Sequence, residues 1–155
     1  MRARTVTTRS TVRAPRDAVW ARVVTPEGIN DEMRPWMTMS IPSGAGELTI
    51  DTVELGAPLG KAWLRLFGVL PFDYDDLTIV GLVPGESFHE QSTMLMFRTW
   101  EHRRVLTAQG DATLVEDQVT FVPRIPGAGA ISAWVLRHFF AHRHRRLESH
   151  FRART

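Results

Sequence analysis

Glu90, His102, Arg104 and Asp117 supply an acid, an imidazole, a guanidinium and a second acid, enough to move a proton or to orient the polar end of a ligand. Whether they meet is a matter of strand register. Gly110 and Asp111 read as a two-residue hairpin turn, so Gln109 faces Ala112, and counting outward pairs Leu106 with Val115, Arg104 with Asp117, His102 with Val119 and Trp100 with Phe121. Trp100, Leu106, Val115, Val119 and Phe121 share that face, whereas Glu101, Arg103, Glu116, Gln118 and Thr120 share the other, so the first must point inward. The same count about Pro84 and Gly85, taken as the centre of a type II turn, sets Ile79 opposite Glu90 and Leu77 opposite Ser92, on a face with Phe88, Met94 and Met96. A tight connection at Leu95 and Met96 would then carry Glu90 to His102.

The expectation is an inward polar set in which Arg104 and Asp117 form a cross-strand ion pair while Glu90 and His102 satisfy each other. Met94, Trp100, Val119 and Phe121 would wall it, and polar groups inside such a wall are what a cavity for a largely apolar guest requires. Two functions suit it. One is binding of a small hydrophobic ligand in a cavity lined by Glu90, Met94, Trp100, His102, Arg104, Asp117, Val119 and Phe121. The alternative is an enzyme in which His102 acts as general acid or base and Glu90 sets its tautomer.

Other chemistries find little footing. With no cysteine in 155 residues there is neither a disulfide framework nor a thiol nucleophile, which fits a cytoplasmic protein. No Gly-rich phosphate loop, zinc spacing or Ser-His-Asp motif stands out, and no cofactor is expected. His138 and His142 stand i, i+4 on one helix face without a third ligand beside them, so no metal site is expected either. The start lacks the apolar core of a signal peptide, and no apolar run approaches the ~20 residues of a membrane span.

Two kinds of element must hold the set. A helix is expected over residues 130 to 153, after the breaker-rich PRIPGAG, with Ala133, Leu136, Phe140, Leu147 and Phe151 in one stripe and His144 at its margin. Its four large apolar side chains would contribute roughly 6 to 12 kcal/mol if fully buried, so the stripe needs a surface, and the strands supply it. The rest of that helix is basic: Arg137, Arg143, Arg145, Arg146, Arg152 and Arg154 stand against Glu148. A solvated face is the plain reading and nucleic acid is not expected, since no base-reading motif accompanies the charge. Ile131, Trp134 and Val135 lie away from the buried stripe. Covering loops, the partner of a homodimer or a weak contact with an anionic membrane surface would each account for them.

Upstream, residues 4 to 13 read as a first strand, PRDAVWARVV as a short helix, and Thr25-Pro26-Glu27 as the cap and first turn of a second helix, stopped by Pro35. Trp36 to Ile41 and Glu47 to Leu55 read as strands, and residues 56 to 72 suit either a short helix or an irregular strand. This gives one domain over residues 1 to 155.

That order of elements resembles the START, pollen-allergen and polyketide cyclase superfamily, SRPBCC. TVRAPRDAVWARVVTPEGI is similar to its opening strand and helix, and LRHFFAHRHRRLESHF to the closing helix of one bacterial branch. FHEQS, FRTWEHRR and ATLVEDQVTF resemble a pattern of that branch at Glu90, Trp100, His102 and Asp117, whereas Leu95-Met96 departs from the Gly-Pro expected there. The resemblance implies an α+β helix-grip fold, a curved antiparallel sheet wrapped around a long C-terminal helix with two short helices after the first strand. It also implies an elongated cavity for lipid-, sterol- or polyketide-like molecules, and in some members cyclase, aromatase or dehydratase chemistry.

Overall fold

The computed structural model describes residues 2–40 and 54–153. Strand β1 (Arg4–Val12) leads into α1 (Arg16–Val23) and α2 (Pro26–Met33); β2 (Met37–Met39), β3 (Pro58–Leu66), β4 (Leu70–Val83), β5 (Ser87–Met94), β6 (Phe97–Gln109) and β7 (Ala112–Pro123) follow, and α3 (Gly129–Arg152) closes the chain. The strands make one curled antiparallel sheet in the order β1-β7-β6-β5-β4-β3-β2, gripping α3 as expected. The two short helices are built as their residues dictate. Thr25 caps α2 by accepting from the Gly28 amide at 3.0 Å, Pro26 opens it, and Arg34 turns extended ahead of Pro35. Gly28 also lets α2 meet the end of α1, since a Cβ there would collide with the Arg22 carbonyl.

The β6–β7 register is the expected one, with Gln109 opposite Ala112, Arg104 opposite Asp117 and Trp100 opposite Phe121. The β4–β5 register is reached differently. Val83 pairs with Ser87, so the turn is one residue longer than a two-residue count, and a bulge at Val80 takes the extra residue back so that Ile79 still faces Glu90. Residues 56 to 72 are strand, not helix: β3 and β4 turn at Phe67 to Val69, and only Ala62 and Leu64 of β3 are buried, which is why no clean alternation marks them. The strand expected from Trp36 shrinks to Met37–Met39, while that expected from Glu47 to Leu55 falls, but for its last two positions, outside the described residues. Met96 is half exposed rather than inward, because the β5–β6 turn carries it off the strand.

Helix α3 buries the expected stripe, together with Arg143 and His144. The apolar core is split in two. One cluster joins Val6, Met94, Phe97, Trp100, Phe121 and Phe140; the other joins Val12, Trp20, Val23, Leu106, Val115 and Leu147. Between them β1, β6, β7 and α3 each present polar side chains: Ser10, His102 with Arg104, Asp117, and Arg143 with His144. No described helix is long and apolar enough to cross a membrane.

Candidate functional site

The polar layer centres on Asp117. Its carboxylate accepts from Arg104 Nε at 2.8 Å and Nη2 at 2.6 Å, from His102 Nε2 at 2.7 Å and from His144 Nε2 at 2.7 Å. Two donors on each oxygen leave it fully engaged. Arg104 turns its remaining edge to α2, where Nη1 and Nη2 donate to Glu32 at 3.0 and 2.8 Å, and Arg143 Nε donates to the same carboxylate at 3.3 Å. Two guanidinium groups thus face two carboxylates, all buried. Burial alone would raise the Asp117 pKa, but Arg104 and His102 outweigh it and hold the group well below the usual carboxylate range. Burial would likewise favour neutral Arg104, and Asp117 with Glu32 reverses that, keeping it charged.

His144 finishes one side by accepting the Ser10 hydroxyl on Nδ1 at 2.6 Å. Serine, histidine and aspartate are thereby in series, but Arg104 already neutralises the aspartate that would have to support an imidazolium, so the series serves as structure rather than as a nucleophile. On the other side His102 gives its Nε2 proton to Asp117 while Nδ1 has no hydrogen-bond partner among the described residues. Burial lowers the His102 pKa against the pull of Asp117, so the ring is neutral and Nδ1 keeps its lone pair. The rings of Phe88 and Phe140 stand edge-on to it at 5.5 and 5.3 Å.

A second acidic group lies beside the layer. Glu90 pairs with His102 across the backbone, yet its side chain turns to β4, accepting the Ser92 hydroxyl at 3.2 Å and meeting the carboxyl of Asp75. Burial, then the charge of Asp75, push Glu90 well above the usual range, and burial raises Asp75 as well. Asp75 Oδ1 is buried with no donor among the described residues, and a proton held between the two carboxyls is the donor this pair lacks.

The expected site is therefore brought together and rewired. All eight residues expected to line a cavity are buried, and the Arg104–Asp117 pair forms. The Glu90–His102 pair does not: Asp117 fixes the tautomer of His102, because Arg104 holds that carboxylate within reach of both. Four participants escaped the sequence reading. Glu32 shares the inward face of α2 with Gly28 and Met33, and Asp75 alternates with Leu77 and Ile79, so the facing of both was available from periodicity. Arg143 falls between Phe140 and Leu147 on the helical period, and Ser10 alternates with Val6 and Val12, so their facing was available as well. Arg143 is buried over the Phe140 ring at 5.0 Å, and Arg146 binds Asp31 at 2.8 Å, which removes both from the basic face assigned to α3. His138 and His142 donate to the carbonyls of Trp134 and Arg34 at 2.8 and 2.7 Å, and no metal-binding group of three occurs among the described residues.

The curled sheet, the long closing helix and the two short helices after β1 make an SRPBCC-like helix-grip fold. A START superfamily protein from Mycobacterium smegmatis is similar with a TM-score of 0.73 at 14% identity, over 97% of this chain and 99% of that one. The Zhui aromatase/cyclase from Streptomyces sp. R1128 gives 0.70 at 17% over 99% and 96%, and ginseng major latex-like protein 151 from Panax ginseng gives 0.67 at 11% over 96% and 97%. Likenesses at these identities establish the fold alone. Within it, the chain belongs to the family described as Domain of unknown function (DUF8410), whose model matches residues 10–151. No curated protein matches the chain.

Proposed function

We propose that this protein binds a small, largely apolar molecule between the sheet and α3, on the side of the core that contains Met94, Phe97, Trp100 and Phe121. The observation that carries this is Asp75 Oδ1, buried without a donor among the described residues, beside an otherwise satisfied layer in which His102 turns Nδ1 away from Asp117. Arg104 and Asp117, expected to line the cavity, are saturated and act as its floor. A guest offering one hydroxyl to His102 Nδ1 and another to Asp75 Oδ1 would donate to both. Native mass spectrometry of the purified protein, followed by denaturing extraction, tests this directly. A co-purifying lipid-, sterol- or polyketide-like molecule supports the reading, and loss of its retention in Trp100→Ala places it. A purified protein that takes up no member of an apolar ligand panel overturns it.

Proton transfer is the second reading, favoured by a neutral imidazole with a free lone pair near a protonated carboxyl. His102 would take a proton from carbon beside a carbonyl while Glu90 delivers one to the carbonyl oxygen, the enolisation that opens cyclisation or dehydration of a polyketide-like substrate. Loss of turnover in His102→Gln with ligand binding retained is the result expected of an enzyme; an unchanged rate removes His102 from the mechanism.

A further inference from the structure

One end of the sheet is unlike the other. Where β3 turns into β4, β5 into β6, and β7 gives way to α3, the chain exposes large apolar side chains in every segment. Phe67, Val69 and Leu70 project at the first turn, with Val69 at 77% exposure; Leu95 and Met96 follow at the second, and Ile125 at 68% precedes α3. Direct contacts make these one fringe. The Phe67 amide donates to the Trp36 carbonyl at 2.8 Å with the two rings 6.3 Å apart, Asp73 accepts the Leu95 amide at 2.8 Å, and the Arg124 amide donates to Met96 at 3.1 Å. Ile131 and Trp134 continue it along the first turns of α3.

Two further observations say what the fringe meets. Residues 34–37, 65–72, 94–98 and 122–138 contain Arg34, Arg65, Arg98, Arg124 and Arg137 and no aspartate or glutamate except the buried Asp73 that lies just outside them. None of the five arginines forms an ion pair with a described carboxylate. At the far end Glu86 and Asp111 occupy the turns instead. Moreover, Phe67 holds φ at 52° beside Gly68 at 77°, a left-handed pair in which Asn or Gly is the ordinary first residue. A phenylalanine there gives up turn stability and places a ring in water.

We propose that this fringe docks on an anionic lipid bilayer, the apolar tips entering the interface and the arginines meeting acidic headgroups. The docked end is the one nearest the Met94–Phe121 side of the core, so a molecule exchanged with the bilayer would have the shortest path there. The docking itself does not depend on that exchange.

The test is sedimentation with phosphatidylcholine vesicles, with and without phosphatidylglycerol. The full chain is expected to bind the mixed vesicles and to be weakened by salt. Phe67→Asn, which suits the left-handed turn, should keep or raise the melting temperature while lowering affinity on the order of tenfold. Arg124→Gln should cost about fivefold. Arg145→Gln, on the later part of α3, should be silent. Absence of binding to mixed vesicles overturns the proposal, as does loss through Arg145→Gln with Phe67→Asn silent, which returns the contact to the basic helix face. So does a concentration-dependent dimer dissolved by Phe67→Asn, which gives the fringe to a second copy of the chain.

Discussion

Asp117 and the Asp75–Glu90 pair are buried carboxyls on the same face of one sheet, and they differ in what surrounds them. Asp117 receives four donors from three side chains, one of them a guanidinium shared with Glu32. The other pair receives the Ser92 hydroxyl and each other. Equal burial therefore gives opposite shifts: Asp117 stays charged below the usual carboxylate range, and Glu90 keeps its proton above it. Full compensation spends a group on the fold, and partial compensation leaves it a proton to give.

The widest gap should appear on deletion. Asp117→Ala leaves Arg104 and Arg143 sharing the single carboxylate of Glu32 and takes the acceptor from His102 and His144, and should cost about 3 to 5 kcal/mol in urea unfolding, whereas Glu90→Gln, whose amide can donate to Asp75 at every pH, should stay within about 1 kcal/mol. Equal losses would erase the distinction.

Stability against pH should separate the two next. An unfolded glutamate releases its proton near about pH 4.3, and folded Glu90 holds it to higher pH. Its contribution is therefore complete below that value and declines as pH rises through the folded one. Asp117 has the opposite sign: its contribution is present above about pH 3.9 and is lost as pH falls through its depressed folded value. His102 adds to the acid side, because a pKa lowered in the folded state loses stability as pH falls below about 6.5. Urea titrations across this range should show a declining alkaline limb in the native protein and a shallower one in Glu90→Gln, where Asp75 alone remains raised. A limb left unchanged by the substitution would locate the loss elsewhere.

The smallest effect belongs to Ser92→Ala, about 0.5 to 1.5 kcal/mol for a single neutral hydrogen bond. It should also raise the pH at which the alkaline limb falls, since the hydroxyl favours ionised Glu90.

Much of this arrangement is legible in the amino-acid sequence. Alternation on β6 and β7, pinned by a two-residue turn, is enough to bring Arg104 to Asp117 and to send His102 inward, and period-3.6 spacing picks out the face of α3 that meets them. What could not be read is which acid His102 would choose. Backbone pairing sets Glu90 opposite it, but the direction of the Glu90 side chain is decided by Asp75 on the neighbouring strand β4, and that of His102 by Arg104 holding Asp117 in place. Glu32 and Arg143 join from helices whose approach to the sheet depends on packing, which no local pattern encodes. The β3–β4 hairpin was obscured for another reason: its apolar residues are spread over both faces and its tip, so burial does not impose a period on them.

The bulge at Val80 separates two kinds of sequence change. It brings Ile79 and Leu82, three positions apart, to the same side of β4, and it reconciles a longer turn with the pairing that Glu90 needs. A frame error introduced at Pro84 and Gly85 is thus corrected before it reaches the carboxyl pair. Relatives could gain or lose a residue at that turn, with a matching gain or loss at the bulge, and leave the interior in register.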